Sequence, residues 1–188
     1  QPAGQSRQSF EAEGRNKYNP DGTIIDVGFF VNIAYLDRQS QAHETEILAN
    51  VCYDYQTEFS DVVCIDPDPY QTDSRIRDKK ICTTSDLSAS GQGAPIAVDK
   101  VRVAMHRQYG TVLPTFTIHI QNKRNGVVVA NNHIADLCSG VPMRPTDLNQ
   151  VTVYATLGEQ ELICDSNVVT LIDREARVTC SLPSGLDA

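Results

Sequence analysis

Six cysteines, Cys52, Cys64, Cys82, Cys138, Cys164 and Cys180, constrain this 188-residue chain more than any other feature. The count is even and the gaps are wide. None forms C-x-x-C, and no pair has the close Cys/His spacing of a zinc site. This pattern predicts three disulfides formed in an oxidising compartment, hence a secreted or cell-surface protein. Six cysteines allow 15 connectivities, and spacing alone does not choose among them. A chain of this length buries a real core, so the bridges add to a fold that hydrophobic burial already favours.

Val, Ile and Thr outnumber Leu, and no apolar repeat of 3.6 residues is long enough to predict a helix. An all-β fold is expected. Period-two alternation places Val27, Phe29, Val31, Ile33 and Tyr35 on one strand face, and Ile47, Ala49, Val51, Tyr53 and Tyr55 on another. A third strand is expected over Val62–Ile65. Further strands are expected over Ile96–Met105, Pro114–Gln121, Val127–Val129, Gln150–Leu157, Gln160–Cys164, Val168–Ile172 and Arg177–Leu182. In the clearest of these, Phe116, Ile118 and Ile120 face inward while Thr117 and His119 face outward. Asn125-Gly126 just beyond it predicts a hairpin.

Asn19-Pro20-Asp21-Gly22 reads as a turn, and Ser88–Pro95, rich in Gly and Ser, reads as a linker. The organisation expected is an extended N-terminal arm over 1–22, a first, smaller Ig-like β-sandwich over 23–90, and a second over 91–188. The arm is polar, with Phe10 its only large apolar residue before Tyr18. Such an arm, when ordered, lies against its own domain or against a neighbouring subunit.

Three runs carry a resemblance: Cys52-Tyr-Asp-Tyr-Gln-Thr57, Val63-Cys-Ile-Asp-Pro-Asp-Pro-Tyr70 with Lys80-Ile-Cys82, and Ser90-Gly-Gln-Gly-Ala-Pro-Ile-Ala-Val98. With Phe116-x-Ile-x-Ile-x-Asn122 and the three later cysteines, they resemble a group of secreted proteins from DPANN-type archaea. Coverage is roughly Val51 to Leu182. The second half is also similar to the CARDB-type adhesion module, although Lys123-Arg124-Asn125-Gly126 supplies one glycine where that module has a Gly-rich turn. The resemblance implies a β-sandwich outside the membrane. It supplies no catalytic residues, because no activity is assigned to that group. Members commonly carry an N-terminal membrane anchor, which this chain does not show.

The formal net charge of −8 repels phosphate backbones, so nucleic acid is not an expected partner. No apolar run reaches the 18 residues of a membrane span. The chain begins at Gln1 rather than Met, and removal of a targeting segment is the expectation. A polar N-terminus disfavours a type IV pilin. No N-x-[ST] acceptor occurs, so N-glycosylation is not expected.

Candidate chemistry is sparse. His43, His106, His119 and His133 make no H-E-x-x-H and share no ligand spacing, and no G-x-S-x-G or Walker A run is present. An enzyme is not expected. Asp66, Asp68 and Asp73, with Asp54 and Asp61 near in sequence, are the densest carboxylates and the candidates for calcium, which takes six to eight oxygens. A solvated acidic loop is the competing reading. Tyr53, Tyr55 and Tyr70 could form a sugar platform, although alternating Tyr on a strand usually packs half-buried.

The expected function is an extracellular structural subunit of a filament or coat that self-associates by strand or arm exchange, with Gln8–Glu13 or Arg15–Tyr18 as donor. The alternative is a monomeric adhesion or ligand-binding module that uses loops at one end. An accessory domain of a secreted hydrolase ranks third, since the catalytic partner is missing.

Overall fold

The computed structural model describes residues 8–14, 18–30, 42, 44, 46–47, 49–71, 80–89, 92, 94–108 and 110–187. The chain divides into two compact units, Gln1–Ala49 and Asn50–Ala188.

Within the first unit the described residues carry neither helix nor strand. The expected turn is present. The Gly22 N–H donates to the Asn19 carbonyl at 3.3 Å, and Gly22 sits at φ 73°, where the absence of a Cβ removes the steric penalty. The polar arm doubles back on this turn. The Thr23 N–H donates to the Glu13 carbonyl at 3.0 Å, and the Gln8 side-chain amide donates to the Gly28 carbonyl at 2.8 Å. Of the strand expected over Val27–Tyr35, residues 31–35 lie outside the described residues and 27–30 are unpaired.

The second unit is built on one antiparallel sheet. Its strands are β1 (Leu87–Ser88), β2 (Ile96–Gln108), β3 (Thr111–Asn122), β7 (Ile163–Cys164), β9 (Glu175–Ser181) and β10 (Leu186–Asp187). The order is β1-β2-β3-β9-β7, with β10 also paired to β3. Two small ribbons accompany it: β4 (Gln150–Thr152) with β8 (Val168–Thr170), and β5 (Thr156–Leu157) with β6 (Gln160–Glu161). The fold is therefore all-β and antiparallel, with little helix.

Alternation along β2, β3 and β9 turns one sheet face inward, as a period of two demands. Val101, Phe116, Ile120, Val178, Cys180 and Leu182 from the sheet side meet Val153, Leu162, Val169 and Leu171 from the ribbon side. Val178 and Cys180 have no exposed surface. Full burial of each such Val or Leu contributes about 1.5–3 kcal/mol, so this two-layer contact is the main source of stability.

Several local readings change on contact with the fold. The tight hairpin lies between β2 and β3, where Gln108 pairs with Thr111 and Gly110 takes φ 85°. Asn125-Gly126 makes no hairpin. Asn122, almost buried, accepts the Arg124 N–H on its side-chain oxygen and donates its amide to the Gly126 carbonyl. Arg174 donates to the carbonyls of Asn122 and Arg124, so the chain is led off the sheet. Val129 makes only an isolated bridge, to Leu148. The Ser88–Pro95 stretch, read as a linker, joins two paired strands: Leu87 and Ser88 lie opposite Val101 and Lys100.

No strand occurs among the described residues between 23 and 86, so the smaller sandwich is not found there. The apolar residues expected to alternate on strands behave differently. Val51, Tyr53 and Tyr55 are exposed, while Phe59, Val63 and Ile65 pack against the core of the large sheet. A strand needs a neighbour to satisfy its backbone, and alternation by itself does not supply one.

A short helix, α1 (Ile134–Cys138), also went unpredicted. Its end follows the Schellman pattern, with the Val141 N–H on the Asp136 carbonyl, the Gly140 N–H on the Leu137 carbonyl, and Gly140 at φ 71°.

All six cysteines are paired: Cys52–Cys138, Cys64–Cys82 and Cys164–Cys180. Cys164 and Cys180 face each other across β7 and β9.

Candidate functional site

The acidic candidates separate on the structure. Asp66 and Asp68 come together beside Lys80, whereas Asp73 lies outside the described residues. The Lys80 ammonium donates to an Asp66 carboxylate oxygen at 2.7 Å and to the Asp68 carbonyl at 2.8 Å. The Asp68 N–H donates to the other Asp66 oxygen at 2.9 Å, closing an Asx turn. Asp68 itself is 0% exposed, and Arg107, near the end of β2, donates to its carboxylate at 3.2 Å. Two cations thus sit on the two carboxylates. The arrangement fixes the loop to the sheet, and the charge a calcium ion would need is balanced by Lys80 and Arg107. Among the described residues no group of three or more His, Cys, Asp or Glu could hold a metal. Asp54 and Asp61 are exposed and stand apart from this pair in the hydrogen-bond pattern; the Asp61 carboxylate accepts the Val62 N–H.

The tyrosines do not form a flat platform. The Tyr53 and Tyr55 rings meet edge to face, 6.2 Å between centroids at 75°, and Tyr70 is exposed on the Asp68 turn. His133 approaches Asp136 at 4.0 Å, His106 is exposed on β2, and His43 lies outside the described residues.

The outer face of the large sheet holds the more organised polar group, and only His119 and Thr117 in it stood out in the sequence. In register across three strands lie Lys100, His119 and Arg177, and in the next row Arg102, Thr117 and Thr179. The signal available in the sequence was the outward half of each alternating strand, which is informative only once strand neighbours are known. Lys100 pairs with Asp86 at 2.9 Å, and Lys123 with Asp99 at 2.8 Å. Each lysine holds its partner's carboxyl below the ordinary range through that hydrogen bond.

His119 Nε2 is buried with no hydrogen-bond partner. Burial of the ring, followed by the positive charges of Arg177, Arg102 and Lys100, lowers the His119 pKa below its ordinary 6.5. The unfolded chain then binds this proton more readily than the folded one. The contribution of neutral His119 is complete above about pH 6.5 and is lost as pH falls through the folded pKa. Urea titrations at pH 7.5 and pH 5 should show a larger acid loss for the native chain than for His119→Gln. Equal losses in both would place the acid sensitivity elsewhere.

No protein family, curated protein or solved structure matches the chain. Fold and sulfur pairing define its class as an antiparallel all-β protein carrying three disulfides. Among the described residues no helix is long and apolar enough to cross a membrane. Paired cysteines of this number are consistent with a secreted or extracellular location.

Proposed function

We propose that this chain is an extracellular structural protein without enzymatic activity, a subunit that associates with copies of itself into a filament or coat. One observation carries the reading. In the first unit, Ile24 is 89% exposed, Phe30 is fully exposed and Phe29 is half exposed, on a segment paired to no strand among the described residues. Large apolar side chains left together in water favour a partner surface. A segment rich in β-branched and aromatic residues is suited to add as a strand to a neighbour. In this reading the donor is Thr23–Phe30, immediately after the arm first considered. Disulfide pairing supports work outside the cell, as does the resemblance to secreted archaeal proteins and adhesion modules. That resemblance also supports an Ig-like sandwich for the second unit.

Electron microscopy of the full chain should show ordered polymers, and the double variant Phe29→Asp/Phe30→Asp should stay monomeric with an unchanged circular dichroism spectrum. Polymers indistinguishable from those of the native chain would remove this segment from the mechanism. A native chain that light scattering finds monomeric at high concentration would favour the second reading, a monomeric adhesion module using exposed groups such as Tyr53 and Tyr55.

A further inference from the structure

Charge in this chain is segregated. Eight of the 24 acidic residues fall in residues 39–74, and none of the 16 lysines and arginines does. That stretch therefore accounts for the whole formal charge of −8, and the remaining residues balance sixteen acids against sixteen bases. Asp66 and Asp68 are neutralised by Lys80 and Arg107. Asp54, Glu58 and Asp61 are exposed and stand in no ion pair with a lysine or arginine among the described residues.

The outer sheet face shows the opposite imbalance. Arg102 and Arg177 are exposed and lie in adjacent rows of that face, and neither makes an ion pair or hydrogen bond among the described residues. Between them stand the hydroxyls of Thr117 and Thr179, 3.5 Å apart, and His119 with its buried, unpartnered nitrogen. The two guanidinium groups and the threonine hydroxyls offer hydrogen bonds to an anion that lies across the strands.

Within the second unit the two imbalances lie on separate segments, the acidic one before β1 and the basic one on β2 and β9. Phe59 and Val63 pack against the core on the inner side of the sheet, and Glu58 and Asp61, beside them in sequence, are exposed. Arg102 and Arg177 project from the outer side. Arg102 and Arg177 make no ion pair with Glu58 or Asp61 of their own chain, so each group is left to meet its complement on another copy. Such a contact is heterologous and propagates instead of closing a dimer.

Resting on the reading of a self-associating subunit, we infer that the outer sheet face around Arg102 and Arg177 docks the acidic stretch around Glu58 and Asp61 of a second copy. The contact is head to tail, and its occupant is a carboxylate-rich segment of the same protein. Charge pairs of this kind set register and speed encounter, while apolar contacts hold the assembly.

Two charge-reversed full-length proteins test this. Arg102→Glu/Arg177→Glu makes both poles acidic, and Glu58→Arg/Asp61→Arg makes both basic. All four positions are exposed, and circular dichroism checks that each variant folds. Each alone should raise the critical concentration for assembly by about tenfold or more. An equimolar mixture should assemble near the native threshold, because every contact in an alternating polymer then joins opposite charges. Native polymers should weaken as salt rises. If both variants assemble alone as the native chain does, or if the mixture fails to restore assembly, this contact is overturned while the apolar donor segment stands. If the native chain never assembles, both readings fall together.

Discussion

Replacing Cys52 and Cys138 by alanine is expected to lower stability by about 4–5 kcal/mol, the largest loss from removing any one of the three bridges. The bridge spans a sequence separation of 86, against 18 for Cys64–Cys82 and 16 for Cys164–Cys180. Loop-closure entropy rises with the logarithm of loop length, which gives about 3 kcal/mol for each of the shorter bridges. Position strengthens the ranking. Cys52 opens the stretch that carries no strand among the described residues as far as Leu87, and Cys138 ends α1, beyond the central strand β3. Without this link, that stretch is held on the sheet among the described residues by Phe59, Val63 and Ile65, by the Thr57 hydroxyl on the Ile96 carbonyl, and by the Asp66–Lys80–Asp68–Arg107 group. Urea unfolding of the double alanine variant under oxidising conditions measures the loss. A loss equal to that of Cys164→Ala/Cys180→Ala would mean that the strandless stretch is held by packing alone.

Asp68→Ala is expected to cost about 3 kcal/mol, because a buried partner is removed from a charged pair. Asp68 is wholly buried while Arg107 keeps 28% of its side-chain surface, so water compensates part of the lost pairing and holds the figure to that range. Asp68→Asn should lose less, since an amide oxygen can still accept from Arg107. Chemical denaturation with and without excess calcium separates a structural role from metal binding. The account expects equal losses with and without the ion, and a calcium-dependent stability abolished by Asp68→Asn would assign the loop to a cation instead.

Legibility in the sequence followed contact order in a simple way. The strands from Ile96 to Ser181 were readable because each alternates apolar residues that a single buried face requires, as Phe116, Ile118 and Ile120 show. The same alternation at Val51, Tyr53 and Tyr55 misled, because a strand also needs a hydrogen-bonding neighbour and none lies beside them among the described residues. Asn125-Gly126 has the composition of a hairpin, yet the Asn122 side chain and Arg174, 52 residues away, claim the local carbonyls first. Helix α1 has only five residues, too few for a period to emerge, and its signal was the Gly140 that ends it. The acidic loop was found by composition, but its cations, Lys80 and Arg107, come from distant positions. The outer-face cluster was hidden for the same reason: Lys100, His119 and Arg177 become neighbours only through register.

A body held by three covalent sulfur pairs underlies both the proposed location and the proposed assembly. Peptide mapping of the native chain without reduction addresses it directly. The account predicts three linked peptide pairs, Cys52 with Cys138, Cys64 with Cys82, and Cys164 with Cys180, and no free thiol. Free thiols in the native protein, or a different pairing among the fifteen, would contradict it.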